Sequence, residues 1–191
     1  MPVTEIRIAG FGGQGVILAA TVIGKAACIY ENGYATMTQA FGPEARGGAA
    51  SAQLVLSDEP VLYPYVHAPN VLVVMAQEAY TKFAPEIRAD GILIIETDLV
   101  RVTSAVKQGV RIYGVPATRL AEQLGKKMVL NIVLTGFFTA VTGLLSADSV
   151  KSAILDSVPA HSKELNIKAF ESGFEYGQKV LEGSIGALAH A

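Results

Sequence analysis

A single cysteine, Cys28, among 191 residues excludes a disulfide framework. One thiolate is also too few for an iron–sulfur cluster, which takes four, or for a cysteine-rich zinc site. Histidine is scarce: His67, His161 and His190 lie far apart, without metal-ligand spacing. Charge is sparse as well. Asp, Glu, Lys and Arg make up 17% of the chain, against roughly 25% in soluble proteins, and the formal net charge is −2. No basic field is present to hold nucleic acid by counterion release. The counterpart of that deficit is 51% apolar residues, which excludes disorder, because a disordered chain combines low hydrophobicity with high net charge. The length fits one compact domain. No Ser–His–Asp or Cys–His pattern stands out, so no catalytic residue and no metal ligand is assigned.

The opening Met-Pro-Val-Thr-Glu-Ile-Arg lacks the basic leader, apolar core and cleavage site of a signal peptide, and a cytoplasmic location is expected. Met128 to Ala147 contains no charged residue, and about 20 such residues could span a bilayer. Within it Asn131, Thr135, Thr139 and Thr142 recur at helical spacing and form a polar stripe. A helix buried against its own core or a partner subunit is therefore expected, not a membrane span.

Glu5 to Ala9 reads as a first strand, a glycine-rich turn follows, and Val16 to Tyr30 has helical periodicity up to the Asn32-Gly33 stop. Cys28, in that apolar helix, is expected to be buried. Tyr34 to Thr38 and Ala50 to Leu56 read as strands around a loop from Ala40 to Gly48. Val71–Met75 and Ile92–Ile95 are short continuous apolar runs, the pattern of parallel strands covered on both faces. Gln77 to Ile87 reads as the helix between them. Val110 to Val115 is a further strand, and Pro116 to Leu124 begins a helix. A helix from Ser149 to Asp156, capped near Ser146, and a last one from Lys163 to Leu181 complete the reading. This order predicts a single three-layer α/β/α domain with a mostly parallel, possibly mixed central sheet. The domain is placed at residues 1–182, with 183–191 as a flexible C-terminal tail that frays or docks on a partner.

Gly10-Phe-Gly-Gly-Gln-Gly15 has the Gly-x-Gly-x-x-Gly spacing between a strand and a helix. Glycine lets the backbone approach a ligand, and the following helix start points free N–H groups at an anion. NAD binding is the obvious reading, yet Asn32 to Pro43 contains no acid to hold ribose hydroxyls. Tight packing of strand on helix, or contact with another phosphate or a partner backbone, are the alternatives. A second loop, Gln39-Ala-Phe-Gly-Pro-Glu-Ala-Arg-Gly-Gly48, carries an arginine whose planar fork suits phosphate or carboxylate. Its Gly47-Gly48 can form an anion nest, and Glu44 could hold Arg46. A surface turn with a solvated Glu–Arg pair is the plainer reading.

Taken together, Phe11-Gly-Gly-Gln-Gly-Val16 and Phe41-Gly-Pro-Glu-Ala-Arg-Gly-Gly48 resemble the gamma subunit of 2-oxoacid:ferredoxin oxidoreductases, the family of the pyruvate, 2-oxoglutarate, branched-chain and indolepyruvate enzymes. The resemblance covers about residues 3 to 181. Many relatives carry Ser-Tyr where this chain has Ala40-Phe41, which removes two hydroxyls. The resemblance implies a gamma-type subunit, inactive alone, of an enzyme of anaerobic metabolism. Such an enzyme decarboxylates a 2-oxoacid on thiamine diphosphate, passes the acyl group to coenzyme A and reduces ferredoxin. It also implies that Gly12, Gly13, Gln14, Gly15, Arg46, Gly47 and Gly48 contribute to coenzyme A binding. Thiamine diphosphate, Mg and iron–sulfur clusters would sit in partner alpha, beta and ferredoxin-like delta subunits.

Two other functions are weighed against this one: a free-standing NAD- or nucleotide-binding protein, and a scaffold that fills a subunit interface. Candidate interface elements are Tyr63-Pro-Tyr-Val-His67, the stripe on residues 131–142 and the tail. Leftover apolar surface suggests a homodimer when the chain is isolated. Neither nucleic acid nor a membrane is an expected partner.

Overall fold

A computed structural model describes residues 2–42, 48–104 and 106–185. The expectations placed on Glu44, Arg46 and Gly47, and on the tail beyond Ile185, lie outside the described residues.

Six strands form one sheet in the order β2-β3-β1-β4-β5-β6. They are β1 Thr4–Phe11, β2 Tyr34–Phe41, β3 Ala49–Ser57, β4 Val71–Val74, β5 Ile92–Glu96 and β6 Arg111–Val115. β1, β4, β5 and β6 run parallel, while β3 lies antiparallel to both β1 and β2. The sheet is thus mixed. β4 and β5 are buried at every position, as the unbroken apolar runs require of strands covered on two faces. β2 runs on through Ala40 and Phe41, which the sequence reading assigns to the loop. There the ladder to Ser51 and Ala50 of β3 outweighs the local turn signal.

The helices are α1 Val16–Lys25, α2 Gln77–Phe83, α3 Ala117–Gln123, α4 Leu130–Thr142, α5 Ala147–Leu155 and α6 Lys163–Leu181. α1 continues as a π-turn over Ala26–Tyr30. Cys28 is exposed there, not buried as expected. In the π-turn Ala26 and Ala27 take the buried side, and the step to the next residue turns the Cys28 side chain away from it. The Ser146 hydroxyl caps α5 by accepting the Ser149 N–H at 3.2 Å.

One face of the sheet carries α1 and α3 to α6 over Ile6, Ile8, Leu54, Leu56, Val73 and Ile94. The other carries α2 and the segment around Val100–Val110 over Leu72, Val74, Leu93 and Ile95. α4 is buried along nearly its whole length. It packs on α6 so closely that a Cβ at Gly136 would overlap the Phe170 carbonyl oxygen, and one at Gly173 that of Val133. The polar stripe of α4 is therefore internal and not a subunit interface. Thr135, Thr139 and Thr142 each donate to the carbonyl one turn back at 2.8 Å, so no buried hydroxyl of the stripe lacks an acceptor. Among the described residues, no helix is long and apolar enough to cross a membrane.

Candidate functional site

β1 and β4 are parallel neighbours whose continuations leave the sheet on opposite faces, β1 into α1 and β4 into α2. Such a point leaves a crevice at the carboxyl ends of the strands, the usual ligand position in an open α/β sheet. The first glycine loop sits there. Phe11 N–H donates to Gln14 Oε1 at 2.6 Å, and Gln14 N–H to the Phe11 carbonyl at 3.1 Å. Gln14 Nε2 then crosses the crevice to the Met75 carbonyl at 2.9 Å. Gly15 takes φ +76°, where an L side chain is strained, and its carbonyl accepts Asn131 Nδ2 at 3.2 Å. The polar residue that opens the α4 stripe therefore anchors this loop.

The second loop meets the first. Gly12 N–H donates to the Gly48 carbonyl at 2.7 Å, and Gly42 N–H to the Ala49 carbonyl at 2.7 Å closes the hairpin. Of the residues picked out by sequence, Gly12, Gly13, Gln14, Gly15 and Gly48 share this corner. Gly12 and Gln14 have their polar groups engaged inside the protein and shape the loop. Gly13, at φ +96° with open space around it, has no partner for its N–H among the described residues.

A cavity of about 170 Å³ opens beside the corner, between the hairpin mouth and α2. Phe11 and Phe41 line it from the sheet, and Glu78, Lys82 and Phe83 from α2. Beneath it, Arg7 of β1 is buried, pairs with Glu86, and donates to the Val66 carbonyl at 2.7 Å. Its guanidinium lies 4.6 Å from the centre of the Phe83 ring, and Lys82 Nζ lies 5.1 Å from it. The sequence reading passed over Glu78, Lys82 and Phe83. The available signal was their place just after β4, across the crevice from the glycine loop.

Residues 5–176 match the family described as pyruvate ferredoxin/flavodoxin oxidoreductase. The chain is 43% identical over 177 residues to the 2-oxoglutarate synthase subunit KorC of Methanocaldococcus jannaschii, covering 92% of this chain and 95% of that one. It is 45% identical over 184 residues to KorC of Methanothermobacter marburgensis, covering 94% and 97%. The crystal structure of a keto/oxoacid ferredoxin oxidoreductase gamma subunit from Geobacter sulfurreducens superposes with a TM-score of 0.80 at 35% identity, over 91% of this chain and 98% of that one. The chain belongs to the 2-oxoacid:ferredoxin oxidoreductase family, as a gamma-type subunit.

A gamma-type chain is one part of a multisubunit oxidoreductase, and partner subunits follow from that. Its topology also removes the basis of the dinucleotide reading. In that fold the strand beside β1 is parallel and ends in the ribose-binding acid. Here antiparallel β3 occupies the place and β2 is displaced to the sheet edge. Elsewhere on the gamma-type chain, Tyr63 and His67 hydrogen bond to each other at 2.8 Å on the surface. The described residues contain no group of three or more His, Cys, Asp or Glu placed to hold a metal ion. Glu96, at the carboxyl end of β5, is fully buried. Its Oε1 accepts Thr118 N–H at 3.0 Å, and burial pushes its carboxyl above the usual carboxylate range.

Proposed function

We propose that this gamma-type subunit serves a 2-oxoglutarate-oxidising, ferredoxin-reducing enzyme and that its paired glycine loops hold an anionic group of coenzyme A. The 2-oxoglutarate assignment rests on the names of the KorC relatives, to which the chain is 43% and 45% identical over nearly their full length. The loop assignment rests on one observation: the Gly12–Gly48 hydrogen bond, which joins the two motifs at the strand-end crevice.

The Gly13 N–H, without a partner among the described residues, and the first turn of α1 supply main-chain donors, and Arg46 supplies a planar cationic fork. Gln14 and Asn131 hold the loop's shape so that little reorganisation accompanies binding. Thiamine diphosphate with Mg, and iron–sulfur clusters, would supply decarboxylation and electron transfer to ferredoxin when bound in companion chains, while this chain's loops bind and orient coenzyme A. One cysteine cannot supply the four thiolates of a cluster, and the resemblance to the family implies that clusters would sit in companion alpha, beta or ferredoxin-like delta subunits.

The test is Arg46→Ala in the assembled enzyme. A charge-assisted contact is worth about 1.5–3 kcal/mol, roughly a tenfold to hundredfold loss in apparent coenzyme A affinity, with decarboxylation little changed. Unchanged affinity refutes the loop assignment.

A further inference from the structure

β2 ends the sheet on one side, and its outer rim is open to another strand. Gly42 N–H donates to the Ala49 carbonyl, which fixes the hydrogen-bonded pairs of the β2–β3 ladder at every second residue: Tyr34, Thr36, Thr38 and Ala40. Ala35, Met37, Gln39 and Phe41 therefore turn their N–H and C=O groups away from β3, where the described residues offer no main-chain partner. Edge strands are commonly guarded by charge, proline, a bulge or shortness. β2 has eight residues in unbroken register, without a charge or a proline. We infer that it pairs with β2 of a second copy of this chain, antiparallel about a two-fold axis, and joins the two six-stranded sheets into one.

The strand dictates the register. With the axis perpendicular to the sheet, α1 of both copies lies on the same face, so residues opposite each other must share parity. An axis through Thr38 sets Ala35 opposite Phe41 and Met37 opposite Gln39 of the second copy. All four outward residues of each strand are then paired, with about eight hydrogen bonds between the copies. An axis through Met37 leaves Phe41 beyond the end of the partner strand, opposite Gly33.

Side chains single out the second copy as the occupant. An apolar groove of about 230 Å³ runs beside β2, with Ala35 and Met37 on one wall and Gly24, Cys28 and Ile29 on the other. Ile29 is exposed, and Phe41 is 68% exposed at the strand's end. In the Thr38 register Phe41 of each copy stands opposite Ala35 of the other, at the wall of that groove. The same surface thus supplies an exposed aromatic and an apolar hollow, and symmetry makes the match twice. The strand is uncharged, so self-pairing sets no like charges opposite each other. A strand pair with one groove per copy falls at or below the low end of the roughly 1,200–2,000 Å² of stable interfaces. A dimer that dissociates in the micromolar range follows.

The experiment is sedimentation of the full-length chain from about 1 to 200 μM, which should show a monomer–dimer equilibrium within that range. Gln39→Pro removes an outward N–H and no bond to β3, and should weaken the dimer at least about tenfold. Phe41→Ala should weaken it about tenfold. Circular dichroism of each variant checks the fold. The register is read by cross-linking in a Cys28→Ser background. At the axis the two Thr38 Cα atoms stand about 4.5 Å apart, within disulfide reach. The two Thr36 Cα atoms are four residues out of register, more than about 13 Å apart. Thr38→Cys should therefore cross-link two chains under mild oxidation, and Thr36→Cys should not. A chain that stays monomeric throughout, a dimer indifferent to Gln39→Pro, or equal cross-linking at the two positions overturns the pairing.

Discussion

On one face of the sheet, α4 and α6 meet backbone to backbone through Gly136 and Gly173, and even the threonines of α4 bond within their own helix. On the other face, short α2 covers only a corner, and irregular segments are tied down by individual side chains. Arg7 and Gln53 hold Val66 by its carbonyl and its N–H. The Gln77 side chain accepts Arg101 N–H at 2.8 Å, and the Tyr80 hydroxyl accepts Thr103 N–H at 2.8 Å. The first face owes its order to close approach of main chains, where no substitution has room. The second owes it to separate polar clamps, which leave gaps between them. The cleft lies in one of those gaps.

The contrast predicts different sensitivities. Gly173→Ala sets a methyl group against the Val133 carbonyl, and helices cannot shift without repacking the core. A loss of about 3 kcal/mol or more is expected, read from thermal or urea unfolding. A loss below 1 kcal/mol would show that the helix pair is not the rigid side. Arg7→Ala removes the clamp on Val66 and the partner of the partly exposed Glu86. It should cost about 2 kcal/mol. Faster hydrogen exchange should follow over residues 58–70, with α4 and α6 unchanged. Exchange that rose equally on both faces would break the comparison.

The smallest effect is expected at Glu96. Burial raises its folded pKa above the unfolded value, so its contribution is fully present at low pH. That contribution is lost as pH rises out of the usual carboxylate range toward the folded pKa. Glu96→Gln keeps an acceptor for Thr118 N–H but cannot ionise. Its stability should fall less steeply with pH than wild type, at little cost or a small gain near neutrality. Parallel pH–stability curves for the two proteins would contradict this.

Much of the architecture was legible in the residues. The unbroken runs at Val71 and Ile92 mark covered parallel strands, and the helix expected from Lys163 to Leu181 has those bounds in α6. What failed were matters of phase and of distant contact. Cys28 sits in an apolar stretch, and only its angular position around the helix shows that it faces outward. Ala40 and Phe41 look like loop until the β3 ladder is known. The first glycine loop announced itself through local spacing. Lys82 and Phe83 did not, because they become neighbours of Phe41 only when α2 folds over the sheet.

The most direct test is hydrogen–deuterium exchange of the assembled oxidoreductase with and without coenzyme A. Protection is expected at residues 10–15 and 42–49, with none along α4 and α6. Saturating coenzyme A that left both loops unprotected, or protected only surfaces away from the Gly12–Gly48 corner, would contradict the account.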